Sequence, residues 1–579
     1  MNTTRRGTKL LALAAASALV FAACSSDDDS GEPDGTTGDT TGDTTGDTTG
    51  GDTPSGDPAM IVTVDLSEEA VWDDGSPITV ADVNCTWQAH VNTPGAIETV
   101  GYDQILSVEA GTSDKQAVIT YGSVFAPYKT LFDKMIKNER HADCNDVSLD
   151  FEDQGADSAM PYTMESWSTS QAVFVPNENW WGEAPATDRV VMVPLADQDT
   201  EIAALKAGEV DFIYPQFFAG IQDALEQDNV NVQVEFGGDY EGLYFQSSTE
   251  ESVTGPFADP IYKEAFSKSI PRKAVFDQIY IPIEPSAEML NCGPIVPGPY
   301  CESNADGSWQ DTFDPDAAAA LLEEAGWARD GSGMWADADG NVPEVRWIVN
   351  TGNERRENTQ AFLIPELQAA GFNVVADNCD AACYFQQRLP ALDFDMAMYI
   401  STAPADPSYL TSSFTCDQIP SEANDFIGQN STGWCNEEAS ALFEEADLTL
   451  DETARADLIK QGLAIMADDY AMLPLFQFPK SGAWLTDKIG DEATVGADLN
   501  NYTAFVNYNE WEDVDGDGQI IIGAEQWPEC LNPITECSNS SWMVWTTSFN
   551  LQPGLWRTTN DQTYELTSVV SGEPVVEIL

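Results

Sequence analysis

A run of fourteen apolar residues, Leu10–Ala23, constrains this chain before anything else does. It follows Arg5, Arg6 and Lys9 and ends in small residues before Cys24. A helix needs about 20 apolar residues to cross a bilayer, so residues 1–24 read as an export signal and not as a span. Residues 25–57 are dominated by Asp, Gly, Thr and Ser, with Thr-Thr-Gly-Asp repeated from Thr36 to Asp47, and carry too little apolar surface to bury. They form a disordered tether, whose reach as a flexible coil is ~30 Å. What folds is expected to lie beyond residue 57, outside the reducing cytoplasm.

Phe21-Ala22-Ala23-Cys24 resembles a bacterial lipobox, with Phe21 where Leu is usual. The resemblance implies that Cys24 is acylated and that the mature chain touches the membrane through this anchor, on the outer face of the bacterial cytoplasmic membrane. Ten cysteines remain, an even number in an oxidising compartment, which makes disulfides the default. Their spacing suggests local pairs: Cys292 with Cys301, Cys379 with Cys383, Cys416 with Cys435, Cys530 with Cys537, and Cys85 with Cys144 by elimination. Metal is the alternative for Cys379 and Cys383, but no histidine lies near them.

With 98 acidic against 24 basic residues, the formal net charge is -74. Phosphate backbones are held by clustered Lys and Arg, so nucleic acid is excluded as a partner and anionic lipid headgroups are disfavoured. Such acidity points to a saline habitat rather than to a cationic ligand. The chain is still 42% hydrophobic with 16 Trp, ample for a large core.

From Met60 onward strand-like runs alternate with amphipathic stretches, which predicts an α/β architecture. Ile61–Asp65 alternates as a strand does. Helices are predicted over Ala317–Ala325, Thr359–Ala370, Glu437–Ala446 and Glu452–Asp469, the first opened by Asp314-Pro315-Asp316 and closed by Gly326. Trp72-Asp73-Asp74-Gly75-Ser76-Pro77 predicts a turn, and Thr79 caps the helix that follows it.

The stretch from Trp72 to Val83 resembles a signature of the peptide and nickel class of ABC-transporter solute-binding proteins, family 5. Pro161-Tyr162-Thr163, Val175-Pro176-Asn177 to Trp181-Gly182, Ala204 to Asp211, Glu264 to Val275 and Asp314 to Trp327 resemble further elements of that family, in its order. The resemblance covers nearly all of residues 60–510. It implies a bilobal periplasmic-binding-protein-like α/β fold of class II, with two mixed lobes and a hinge. It also implies a monomer that captures a peptide or similar small molecule and hands it to ABC permease subunits. A sensing protein for a non-peptide solute, such as an oligosaccharide or a nickel chelate, is the alternative on the same fold.

The order of elements departs from the family at both ends. The Trp72 element follows the tether almost at once, whereas residues 520–579 resemble the usual mature N-terminal sequence and Asn501–Trp511 the usual C-terminus. Either the chain is circularly permuted or residues 520–579 begin a second, shortened copy. The expected division is lobe I over 58–247, lobe II over 248–477, a lobe I return over 478–511, an acidic joining loop over 512–519 and the displaced lobe I segment over 520–579.

Within the joining loop Asp513, Asp515 and Asp517 occupy the first, third and fifth positions of an EF-hand-like calcium loop with Gly518 sixth, but position 12 is Ala524. A calcium site and a solvated acidic linker are the two readings; no other cofactor is expected. Enzyme signatures are absent, and His90 and His141 stand isolated.

Peptide-binding relatives place an amine-holding Asp four residues before a Pro, and here that position is Ala403; Asp406 is the candidate replacement. Tyr244 and Gln246 lie on the strand that resembles the interlobe crossover. Tyr409, Trp434, Trp527 and Trp542 are candidate cleft walls, each with a core role as the alternative. Arg355 and Arg356 are candidates for a ligand carboxylate, with solvent exposure at a helix start as the alternative.

Overall fold

Alternation decides the first strand, in which Met60, Val62 and Val64 are fully buried and the residues between them are not. The computed structural model describes residues 56–579 apart from 97, 152–154, 196–197, 216–220, 222–224, 251–252, 302–308, 381–382, 390, 421–428, 491, 500–506, 525–526, 529 and 540. The export signal, Cys24 and the tether up to residue 55 lie outside the described residues. Among the described residues, no helix is long and apolar enough to cross a membrane.

In chain order the strands are β1 (Met60–Asp65), β2 (Ile105–Ala110), β3 (Gln116–Tyr121), β4 (Tyr162–Ser168), β5 (Gln171–Pro176), β6 (Val190–Pro194), β7 (Phe212–Ile213) and β8 (Val230–Phe245). There follow β9 (Ala328–Arg329), β10 (Trp335–Ala336), β11 (Glu344–Ile348), β12 (Asn373–Ala376) and β13 (Met396–Thr402). The last are β14 (Met472–Leu485), β15 (Ile520–Ala524), β16 (Trp556–Thr558), β17 (Tyr564–Leu566) and β18 (Val575–Ile578). Ten of them form one mixed sheet in the order β12-β11-β13-β8-β14-β7-β15-β6-β5-β4, and β18-β1-β3-β2 form a second.

Two long strands carry the large sheet from one lobe to the other. β8 and β14 pair antiparallel from Tyr244 opposite Met472 to Val230 opposite Leu485, with register shifts between Pro474 and Phe476 and between Gln477 and Pro479. Proline has no N–H to give a ladder, so the shifts fall where the pairing would be broken anyway. β13 joins the Asp239–Phe245 end of β8, while β7 joins β14 at Ala483 and Trp484. The cores follow this division: Phe174, Met192 and Trp484 are packed in one lobe, and Phe266, Trp347 and Leu363 in the other.

Caps set the helix limits. Thr79 and Asp82 form a reciprocal capping box at the start of Val80–Asn92, and Asp314 caps Pro315–Glu324, which Gly326 closes at φ +90°. The helices Glu437–Asp447 and Glu452–Asp468 lie within a residue or two of the expected limits. Glu354–Ala369 begins five residues before the expected Thr359, because Asn353 receives the Arg356 N–H at 3.1 Å and caps it there.

Residues 520–579 are built into the first lobe. β15 lies between β6 and β7, parallel to both, and β18 pairs antiparallel with β1, Met60 opposite Ile578. Between them Asn532 donates to the Val147 carbonyl at 2.8 Å, and the Met135 and Leu555 N–H groups donate to Pro553 and Phe132 carbonyls, each at 2.8 Å. Disulfides join Cys85 to Cys144, Cys292 to Cys301, Cys379 to Cys383, Cys416 to Cys435 and Cys530 to Cys537.

Candidate functional site

A cavity of about 540 Å³ lies between the lobes, beside the β8–β14 crossover. Its floor includes Gly238 of β8 and Lys480 of β14. A Cβ on Gly238 would stand 2.4 Å from the Ala403 carbonyl oxygen, and the Ala403 N–H donates to the Gly238 carbonyl at 2.9 Å. Only glycine lets the end of β13 approach the crossover this closely.

From the first lobe the cavity takes Tyr102, Phe125, Lys129, Leu131 and Asp133. It also takes Arg557, Thr558, Gln562 and Tyr564 from the β16–β17 hairpin, which is pinned where Asn560 donates to Ala497 and Asp498 at 2.7 and 3.0 Å. Gln562 sits at φ +59°, a conformation L residues seldom adopt, at the turn of that hairpin. The second lobe supplies Ala403–Asp406, Tyr409, Thr411 and Asp447. Both walls are thus mixed, aromatic and aliphatic surface carrying a few charged groups.

On the second-lobe wall two carboxylates share one guanidinium. Arg455 donates to both oxygens of Asp406, at 2.6 and 2.8 Å, and reaches Asp447 at 3.4 Å. The Ser408 N–H donates to Asp406 as well, at 2.9 Å. Asp447 accepts from the Thr411 hydroxyl at 2.7 Å, and burial, with Asp406 close by, pushes its carboxyl up to about 6. On the facing wall Lys129 lies 5.9 Å from the Tyr128 ring centroid, and burial raises Asp133 to about 6 against the pull of Lys134.

Asp406 and Tyr409 line the cavity, but Asp406 has both oxygens engaged by Arg455. The other sequence candidates lie elsewhere. Tyr244 is buried, stacked on Tyr399 at 3.8 Å, and its hydroxyl meets Ser401 at 2.9 Å. Gln246 is fully buried and accepts the Ser248 N–H at 2.8 Å. Trp434 donates to Asp469 at 3.2 Å within the second lobe, Trp527 donates to the Ser168 carbonyl at 3.0 Å, and Trp542 belongs to the first-lobe core.

Arg355 and Arg356 are neither solvent-exposed nor turned to a ligand. Arg355 donates to Glu241 at 2.8 and 3.2 Å and Arg356 at 2.7 Å, and Glu241 is fully buried on β8. Burial alone would raise the Glu241 carboxyl; the two guanidiniums outweigh it and hold it below the usual value. His90 is buried behind Tyr102, stacked at 4.1 Å, and burial lowers its imidazole to about 4. His141 pairs with Asp150 at 2.6 Å.

Asp513, Asp515 and Asp517 do converge, with carboxylate atoms within 4.8 Å of one another. The Lys488 ammonium sits against Asp515 and 3.6 Å from Asp517, and Asp513 accepts the Gly516 and Gly518 N–H groups at 2.8 and 2.7 Å. Lys488, from outside the loop, thus lies against two of the three carboxylates.

The sequence reading missed Lys129, Arg557, Tyr564, Gln562 and Asp447. One signal was available: with 24 basic residues in 579, each Lys or Arg outside a helix surface is conspicuous, and three of them line this cavity.

Residues 55–421 match the family model of the bacterial extracellular solute-binding proteins, family 5 middle region. The oligopeptide-binding protein OppA of Mycobacterium tuberculosis (strain ATCC 25618 / H37Rv) is 23% identical over 454 residues, 77% of this chain and 73% of that protein. The nickel-binding periplasmic protein of Escherichia coli (strain K12) is 26% identical over 322 residues, 54% of this chain and 57% of that protein. Among solved structures, the periplasmic EDTA-binding protein EppA superposes with a TM-score of 0.65 at 21% identity, covering 79% of this chain and 85% of its own. NikZ from Campylobacter jejuni, in complex with Ni(L-His), does so at 0.63 and 18% identity, covering 79% and 88%.

Proposed function

The chain belongs to the bacterial extracellular solute-binding proteins of family 5, which are transport binding proteins and not enzymes, and from that premise we propose that it captures a peptide or a similar solute between its lobes for an ABC importer. The observation that carries this reading is the cavity of about 540 Å³ whose walls come from both lobes and whose floor is the crossover itself. A solute there touches both lobes at once, so its binding energy favours the closed arrangement over an open one. Charged groups on both walls orient it: the first-lobe wall carries Lys129 and Arg557 beside Glu98 and Asp133, and Asp406 with Asp447 outnumber Arg455 on the second. A zwitterion fits that mixture of charges. Ala403 offers no carboxylate, so Asp447 is the better-placed partner for an amine, with Tyr409 beside it.

In the same reading Cys24 carries the lipid, residues 25–57 hold the body clear of the outer face of the membrane, and the closed protein delivers its solute to a permease. The binding body is a monomer. Residues 520–579 serve as the first lobe's own missing strands, the outcome of a circular permutation. The acidic loop 512–519 is a linker, with Lys488 against two of its carboxylates, rather than a calcium site.

Native mass spectrometry of the protein purified from an oxidising host, before and after mild denaturation, tests the ligand class. A released ladder of short peptides is the expected result. A single non-peptide solute, or a metal chelate, would replace the peptide reading.

A further inference from the structure

The two lobes also touch each other away from the cavity. Leu450 sits half-buried in the turn that joins the second-lobe helices Glu437–Asp447 and Glu452–Asp468. Its side chain packs against the first-lobe apolar group that holds Val62, Tyr121, Leu555 and Trp556. The first of those helices lies beside the helical turn Ala126–Thr130 of the first lobe, where Tyr128 joins the same group and meets Trp556 edge-on at 5.6 Å. Burial pushes the Tyr128 hydroxyl up to about 12, with Glu573 of its own lobe and Glu452 of the other adding to the rise. Neither Leu450 nor Tyr128 lines the cavity.

Hydrogen bonds on both sides of Leu450 shape its turn. The Thr449 hydroxyl donates to the Glu445 carbonyl at 2.7 Å, Asp451 accepts the Ala454 N–H at 2.8 Å, and Arg455 donates to the Ala446 carbonyl at 3.1 Å. Little conformational freedom is therefore lost when the lobes meet. Leu448, two residues earlier, is 56% exposed, so the turn aims one leucine and not both at the first lobe. Carboxylates stand on both walls of the cavity, Glu98 and Asp133 on one and Asp406 and Asp447 on the other, in a chain of net charge -74. Repulsion of that kind opposes the meeting of the lobes, and it does not weaken an apolar contact.

We propose that Leu450 is a positioning residue for solute binding: it clasps the first lobe and holds the cleft closed by an amount that no solute supplies. The proposal rests on reading the cavity as an interlobe solute site. Apparent affinity falls with the fraction of molecules whose lobes are together, so losing the clasp weakens every solute by one factor.

Small-angle X-ray scattering of the full chain, stripped of solute by dialysis from urea with its disulfides intact, measures the separation of the lobes. Leu450→Asp should move the closed-to-open ratio about tenfold towards open, the worth of a half-buried leucine, and enlarge the radius of gyration. Leu450→Met keeps the apolar volume and should leave the radius at its wild-type value. Leu450→Ala takes the place of Leu450→Asp where that variant gives no cooperative melt. A lower Tm with an unchanged radius is what a merely structural role gives, and would overturn the clasp.

Calorimetric titration with Ala-Ala-Ala and Ala-Glu-Ala separates the clasp from the solute reading. Leu450→Asp should weaken both peptides by the same factor, up to about tenfold. Unequal losses would mean that Leu450 touches the solute, which overturns a positioning role. Should the wild type bind neither peptide, the peptide reading falls and the scattering comparison decides the clasp alone.

Discussion

Arg455 grips Asp406 by both carboxylate oxygens, at 2.6 and 2.8 Å, with both side chains only 7% exposed. Asp406 lines the cavity, so the Ala403–Asp406 loop is held there by a charge contact rather than by packing alone. Removing one partner strands the other charge: Arg455→Met should lower the unfolding free energy by about 3–5 kcal/mol, and Arg455→Met with Asp406→Leu should recover most of it. Urea unfolding of the two variants distinguishes these outcomes; equal losses would place the loop's stability elsewhere.

The stability contributed by three buried carboxylates should fall as pH rises from about 4 to about 6. Asp211 shows why: burial raises its carboxyl from 3.8 to about 6 in the fold, although the Ile521 N–H donates to it at 2.7 Å. The folded chain therefore binds that proton more tightly than the unfolded chain does. The advantage is complete below the unfolded value and is lost as pH passes the folded one. Asp133 and Asp447, also raised to about 6, act in the same direction. Asp211→Asn keeps the acceptor, so at pH 7.5 it should gain about 1–2 kcal/mol, and at pH 4 almost nothing. A gain of the same size at both pH values would show that titration is not its source.

The disulfides should differ in weight by the loops they close. Cys85–Cys144 spans 59 residues and Cys379–Cys383 spans 4. Loop entropy assigns about 4 kcal/mol to the first and about 2 to the second. Paired Cys→Ala variants, compared by denaturant unfolding under oxidising conditions, should fall in that order.

Deleting residues 520–579 should leave an aggregating product, because β15 lies between β6 and β7 in the middle of the large sheet. Moving the same residues to precede Met60, through a short linker, should restore a folded protein. The Leu579 N–H already donates to the Ala59 carbonyl at 2.9 Å, so the two ends adjoin. Circular dichroism and a cooperative melt of the rearranged chain check this. A cooperative melt of the deletion itself would remove residues 520–579 from the lobe's core.

Local chemistry was legible wherever its cause was local. Thr79 and Asp82 lie three residues apart and announce their cap, and Gly326 marks the end of a helix as clearly in the sequence as in the fold. The site was not legible in this way. Trp434, Trp527 and Trp542 attract attention by their size, yet a large aromatic side chain gains most where it is buried on all sides, and that is where Trp434 and Trp542 are. Arg355 and Arg356 meet Glu241 across 114 and 115 residues, and no local pattern announces so distant a carboxylate. The cavity wall on the β16–β17 hairpin depends on where the last segment docks, which only the sheet order reveals.

The place of β15 also bears on how the molecule comes into being. Its parallel partners at Val190–Pro194 and Phe212–Ile213 emerge some 300 residues before it. The first lobe's sheet stays open between those two strands until residues 520–524 are available to it. Contacts so far apart in sequence form slowly and leave apolar edges exposed meanwhile. A chain that stops before Ile520 therefore leaves the first lobe's sheet open between β6 and β7.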